Sequence, residues 1–239
     1  MSLQGSAFLA LWNDVEAGHE HAYDAWHTLE HVPERVSVPG ILSGRRYVAD
    51  VRQGEAPRYF TLYELDGIDV LASAPYRRLL EHPTPWSRAM RPRLCNVLRV
   101  GCTTRSSHGR GVGGFVVALR IASPPPEDAP LQAALRAIAD VQGVTAVHWG
   151  DVDRGVAGLP WDARAADGNA ASAVLLIEAH DAATARLGRD AARQRLSAAC
   201  PGDALPATCH ALHYLHDRRL ERAGSTASPP SGKMAWKRR

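Results

Sequence analysis

The chain has 239 residues, is 45% hydrophobic and 22% charged, and carries a formal net charge of +3. This is the composition of a globular protein with apolar mass for one large domain or two small ones. The small basic excess, part of it in Lys233, Lys237, Arg238 and Arg239, gives no ground for nucleic-acid binding. No apolar run approaches the length of a membrane span, and no glycine-rich nucleotide motif is present.

The N-terminus, Met1-Ser2-Leu3-Gln4-Gly5-Ser6, has neither a basic nor a long apolar stretch, so the expectation is a cytoplasmic protein without a secretory signal. Cys95, Cys102, Cys200 and Cys209 form no paired motif. They are expected as free thiols in a reducing compartment, not as a disulfide framework or a zinc site.

In chain order, Phe8 to Trp12 reads as a strand, residues 17–37 as a helix, Gly44 to Val51 and Tyr59 to Leu65 as strands rich in aromatic and β-branched residues. Ile68 to His82 reads as a second helix, started again or kinked at Pro75, and Leu94 to Val100 as a fourth strand. Residues 104–114, crowded with Ser, Gly and Arg, are expected as a linker. The same order then returns: strand Phe115 to Ile121, helix Pro130 to Val141, strands Val144 to Val152 and Ala173 to Glu178, helix Ala182 to Ala199, strand His210 to His216. Residues 221–239 are expected to form a disordered tail.

The halves echo in detail. Val38-Pro39-Gly40-Ile41 matches Val141-Gln142-Gly143-Val144, each glycine ending a helix in the left-handed conformation. Leu62-Tyr63-Glu64 matches Leu176-Ile177-Glu178. The expected fold is α+β: two tandem ferredoxin-like βαββαβ units, 1–103 and 115–220, packed sheet to sheet as an intrachain pseudo-dimeric α/β barrel. Such a chain is a monomer with an internal pseudo-dimer, or a homodimer.

The first helix carries the chemistry. Tyr23, His27, Glu30, His31 and Glu34 fall on one polar stripe, beside an apolar stripe of Ala22, Trp26, Leu29 and Val36. An imidazole at a pocket edge exchanges protons near neutrality, and Glu30 or Glu34 could fix its tautomer. His27-Thr28-Leu29-Glu30-His31 also matches H-x-x-E-H, a zinc-peptidase signature, but Pro33 follows closely and no third ligand has a motif of its own, so no metal residue is assigned. Candidate binding residues on the strands are Trp12, Asn13, Arg46, Tyr47 and Tyr63, with Tyr23 from the helix and Trp86 after the second helix. Neighbouring strand residues point to opposite faces, so Arg46 and Tyr47 cannot both line one pocket. The second half lacks this constellation and is expected as a degenerate supporting copy.

Trp26, Glu30-His31-Val32-Pro33-Glu34-Arg35, Pro39-Gly40 and Arg45-Arg46-Tyr47, with the repeated element order, resemble the dimeric α/β-barrel superfamily, and its EthD-like branch most. The resemblance implies a pocket between sheet and helices for a small, aromatic or lactone-like ligand, and carries a functional histidine over to His31. The leading expectation is a cofactor-independent acid/base enzyme of the isomerase, cyclase, dehydratase or decarboxylase type. Its substrate would be a small carbonyl, phenolic or lactone molecule, with His31 as acid/base, His27 or Glu34 as its partner, and Arg46 or Tyr63 polarising the oxygen. The alternatives are a non-catalytic small-molecule binding or stress-response module and an oxidoreductase dependent on haem or a divalent metal.

Overall fold

A computed structural model describes residues 3–49, 57–123, 127–155, 171–196 and 207–219. The expected tail and Cys200 lie outside the described residues. The strands are β1 (Ala7–Val15), β2 (Ile41–Ala49), β3 (Tyr59–Leu65), β4 (Leu94–Gly109), β5 (Phe115–Ile121), β6 (Val144–Val152), β7 (Ala173–Ala179) and β8 (Ala207–Asp217). The helices are α1 (Glu20–Trp26), α2 (Val32–Val36), α3 (Ala74–Glu81), α4 (Pro85–Met90), α5 (Asp128–Ala139) and α6 (Ala182–Leu196). No described helix is long and apolar enough to cross a membrane.

The strands form a closed antiparallel barrel in the order β1-β3-β2-β8-β5-β7-β6-β4. The closed α/β barrel is as expected, but its sheets do not merely stack: the halves also join edge to edge, through β2 with β8 and β4 with β6. Each edge strand of one half thereby finds its backbone partners in the other, and none of these strands is left as an open edge. The linker expected at 104–114 is corrected with it. Residues up to Gly109 continue β4 and pair with β6, because ladder bonds to a waiting strand override weak local propensity.

Alternation along the strands separates two environments. Phe8, Ala10, Trp12, Tyr47, Phe60, Leu62, Val100, Val116, Val174 and Leu176 fill the barrel interior. The other face of β5 to β8 is covered by α5 and α6, with Leu131, Leu135, Ile138 and Ala185 packed on Leu119, Trp149, Leu175 and Ile177. In the first half, Val32, Val36 and Tyr76 pack on Leu9, Ile41, Tyr63 and Leu65. Gly44 permits this approach, since a Cβ there would lie 2.6 Å from Val32 and 2.9 Å from the Tyr63 ring. Gly40 and Gly143 adopt φ of 91° and 90° where helix turns to strand, as the sequence predicts.

A buried ionic cluster crosses the barrel. Arg45 Nη1 donates to Glu178 Oε1 at 2.9 Å, and Arg45 Nη2 pairs with Glu64. Glu64 also accepts from Ser43 Oγ at 2.9 Å and from the Gln4 amide at 2.7 Å. Glu178 accepts from the Gly113 amide at 2.7 Å and lies 3.4 Å from His148 Nε2. Burial alone would push the Glu178 carboxyl up, but the His148 hydrogen bond and the Arg45 charge outweigh it and hold the group below the ordinary carboxylate value.

Two outcomes follow. Glu178→Gln, which leaves Arg45 undercompensated inside the barrel, should lower stability by about 3 kcal/mol in urea denaturation at neutral pH. Glu178 binds its proton less readily folded than unfolded, so its contribution is complete above the unfolded carboxylate range and fades as pH falls through the depressed folded value. The acid loss of stability should therefore be shallower in Glu178→Gln than in the parent chain.

Candidate functional site

The helix expected over 17–37 is regular only at its ends. Between α1 and α2, residues His27–His31 form a wide π turn, and the Val32 amide bonds back to the His27 carbonyl. Pro33 explains it. In a continuous α-helix the proline would lack its bond to Leu29 and press on that carbonyl. The wide turn absorbs the conflict, and α2 restarts with Pro33 in its first turn, where no amide is needed. The register changes with it: Leu29, expected on the apolar stripe, is 70% exposed, while His27 is 2% exposed.

The turn is anchored from behind. Trp26 Nε1 donates to Ser87 Oγ at 3.2 Å, and Glu30 accepts from Ser87 Oγ at 3.0 Å and Thr84 Oγ1 at 2.6 Å. Thr84 caps α4 by accepting from the Ser87 amide. Glu30 is thus committed to α4 and does not orient a histidine. Glu34 instead lies 3.9 Å from Arg35 Nη1, and burial pushes its carboxyl up.

A cavity of about 640 Å³, with the open solvent at its mouth included, lies between these helices and the outer face of β1, β3 and β4. Tyr23, Trp26, His27 and His31 line one side. Their rings form a chain: Tyr23 to His27 at 5.1 Å, His27 to His31 at 5.1 Å, His31 to Trp26 at 4.3 Å. Asn13 and Tyr63 face them from β1 and β3, and Leu9, Leu11, Ile41 and Val97 supply apolar wall. Tyr23 Oη donates to Asn13 Oδ1 at 3.2 Å. Arg35, Arg91 and Arg99, with Tyr76, complete the lining.

Both histidines are held neutral. Burial, with Arg46 and Arg35 nearby, drives the His27 pKa well below its ordinary value; burial, then Arg35, His27 and Arg91, does the same for His31. His27 Nε2 lies 3.5 Å from Thr61 Oγ1. The Nδ1 atoms of both rings, and Tyr63 Oη, are buried without a hydrogen bond.

Of the residues expected here, His27, His31, Asn13, Tyr23 and Tyr63 line the cavity; the others do not. Trp12 and Tyr47 point into the barrel, where both pack near Phe60, since strand alternation turns them away from the helices. Arg46 is on the helix side but is spent on Asp24, donating to its carbonyl at 3.0 Å. Trp86 lies on α4, 37% exposed, outside the lining. Glu34 follows the turn and is also outside it. The cavity arginines and Tyr76 were missed. Arg99 was within reach, because it sits two residues from Val97 on one face of β4.

No family model and no curated protein matches the sequence. Solved structures do. An anthrone oxidase-like protein aligns with a TM-score of 0.59 at 12% identity, over 91% of this chain and 96% of its own. The fold is that of the dimeric α/β barrels. A haem-binding protein from Thermus thermophilus shares this dimeric α/β-barrel fold with a TM-score of 0.54 at 13% identity, over 95% of this chain and 97% of its own. A candidate chlorite dismutase shares it with a TM-score of 0.54 at 12% identity, over 87% and 94%. That a protein of this fold is named for binding haem corrects the expectation that such a barrel works without a cofactor.

The depressed histidines make a test. The unfolded chain takes up protons near pH 6.5 that folded His27 and His31 refuse, so stability should decline as pH falls below that value. In NMR titration the His27 and His31 ring signals should stay in their neutral positions from pH 8 to pH 6. A midpoint near 6.5 for either would contradict the burial described above.

Proposed function

We propose that the chain is a haem-dependent oxidoreductase, with the haem in the first-half cavity and His31 as its protein ligand. The observation that carries this is the pair of neutral imidazoles, His27 buried and His31 half-buried, each with a buried Nδ1 that has no hydrogen bond, beside an apolar and aromatic cavity. A neutral imidazole is the form that binds iron. The oxidase-like, haem-binding and dismutase-like neighbours support the same reading. A bare metal ion is the weaker alternative: among the described residues no three His, Cys, Asp or Glu side chains gather into a ligand set. A porphyrin brings its own ring nitrogens and asks the protein for one or two donors.

When bound, haem would supply one-electron and oxygen chemistry. The chain's own residues do the rest. The aliphatic walls exclude water. Trp26 stacks on His31 and fixes its ring plane. His27, with Nε2 near Thr61, presents Nδ1 beside the cavity as a neutral hydrogen-bonding group. Tyr63 offers an uncommitted hydroxyl to an oxygen atom of the substrate.

Within the superfamily we read the branch as EthD-like, on Trp26, Glu30-His31-Val32-Pro33 and Pro39-Gly40. We read the halves as two ferredoxin-like copies joined near residues 110–114. The orders β4-β1-β3-β2 and β8-β5-β7-β6 follow one pattern, and Arg45 opposite Leu62 matches His148 opposite Leu176.

Hemin titrated into the purified chain should give a saturable Soret band at one equivalent. His31→Ala should weaken that binding at least tenfold, and His27→Ala should weaken it less. Unchanged hemin affinity in both variants would end this assignment.

A further inference from the structure

The charged groups in the cavity lining are of one sign. Arg35, Arg91 and Arg99 belong to it, and no Asp or Glu does. Arg91 is partly spent on architecture, donating to the carbonyls of Leu80 at 2.9 Å and Leu79 at 3.1 Å at the end of α3. Arg35 and Arg99 are arranged differently. Their guanidinium groups lie 5.8 Å and 5.7 Å from the centre of the Tyr76 ring, and Arg99 Nη2 donates to Tyr76 Oη at 3.2 Å. Tyr76 thus holds both guanidinium groups beside the cavity.

Arg35 is 3% exposed, and its Nη1 is buried without a hydrogen bond. Glu34 approaches that atom only to 3.9 Å, and its own Oε2 also lacks a hydrogen bond. A guanidinium nitrogen taken out of water in this way is costly unless an acceptor reaches it. Tyr63 and His31, whose Oη and Nδ1 are also buried without hydrogen bonds, belong to the same lining, as do Leu9, Leu11 and Val97.

We propose that this wall is a carboxylate site and that the cavity takes a small, flat aromatic acid, its carboxylate on Arg35 and Arg99 and its ring among the apolar residues and Trp26. Arginine suits this role because its planar fork matches a carboxylate with two parallel hydrogen bonds. The inference rests on the cavity being the functional site, not on haem occupying it. Haem carries carboxylates of its own, so the two sources of the same chemistry have to be separated.

The probes are 1-naphthoate and its neutral isostere 1-naphthamide, titrated into the purified full-length chain by calorimetry. The acid should bind roughly tenfold to a hundredfold tighter than the amide. Arg35→Gln and Arg99→Gln should each remove most of that preference while leaving amide binding in place, with thermal melts showing that each variant folds. Equal affinity for acid and amide, absence of acid binding, or a preference that survives both substitutions would overturn the proposal. A hemin arm separates the readings. Hemin bound as tightly as its dimethyl ester, with the naphthoate preference intact, assigns the arginines to a substrate. Hemin binding lost on esterification and no preference for naphthoate assigns them to haem and overturns the aromatic-acid proposal. Naphthoate preference without hemin binding upholds it and removes the haem reading instead.

Discussion

One guanidinium holds the two halves of this molecule together. Arg45 is 1% exposed inside the barrel and pairs with Glu64 from its own half and Glu178 from the other. A charge so placed is expensive to bury and tolerable only when every partner is in position. The register seen here delivers both carboxylates to Arg45, and any slip that withdrew one would leave the cation uncompensated inside the barrel. Glu64 and Glu178 occupy matching places in Leu62-Tyr63-Glu64 and Leu176-Ile177-Glu178, and His148 stands in the second half where Arg45 stands in the first. Beside the Arg45 cation, His148 adds a ring that bonds to Ser107 at 2.8 Å.

From that joint the asymmetry of the molecule follows. With the interior fixed by aromatic and aliphatic packing and the ionic cluster, variation is confined to the outer layer of helices. Over β5 to β8 that layer is filled by Leu131, Leu135, Ile138 and Trp149. Over β1 to β4 the helices are short and interrupted, and space remains beneath them. The cavity is therefore a consequence of broken helices on an intact sheet.

Much of this was legible in the chain. Strand placement follows period-two alternation, and the repeat of element order with two echoing segments is a sequence-level property. The barrel was expected, but one of the pairings that closes it was not legible, because 104–109 carries Ser, His and Gly whose local preferences argue for a loop; only the presence of β6 makes them a strand. The histidines were found because they share one helix. Alternation permits only one of Trp12 and Asn13 to face the helices, as it does for Arg46 and Tyr47, and the one that does is Asn13. Arg35, Arg91 and Arg99 meet only through topology, so no local spacing marks them as a set.

The π turn has a consequence of its own. Relative to an uninterrupted α-helix it amounts to one surplus residue, which the chain keeps because Pro33 forbids the regular bond. Because the wide turn absorbs that residue, α2 keeps the orientation it would have without it. Pro33→Ala alone would let the segment relax to ordinary helical winding, and everything beyond it would then turn by about 100°, carrying Arg35 out of the cavity while His27 stayed behind. Deleting one residue between His27 and His31 as well would cancel that turn, so the lining of this site depends on the surplus residue and the proline being kept or lost together.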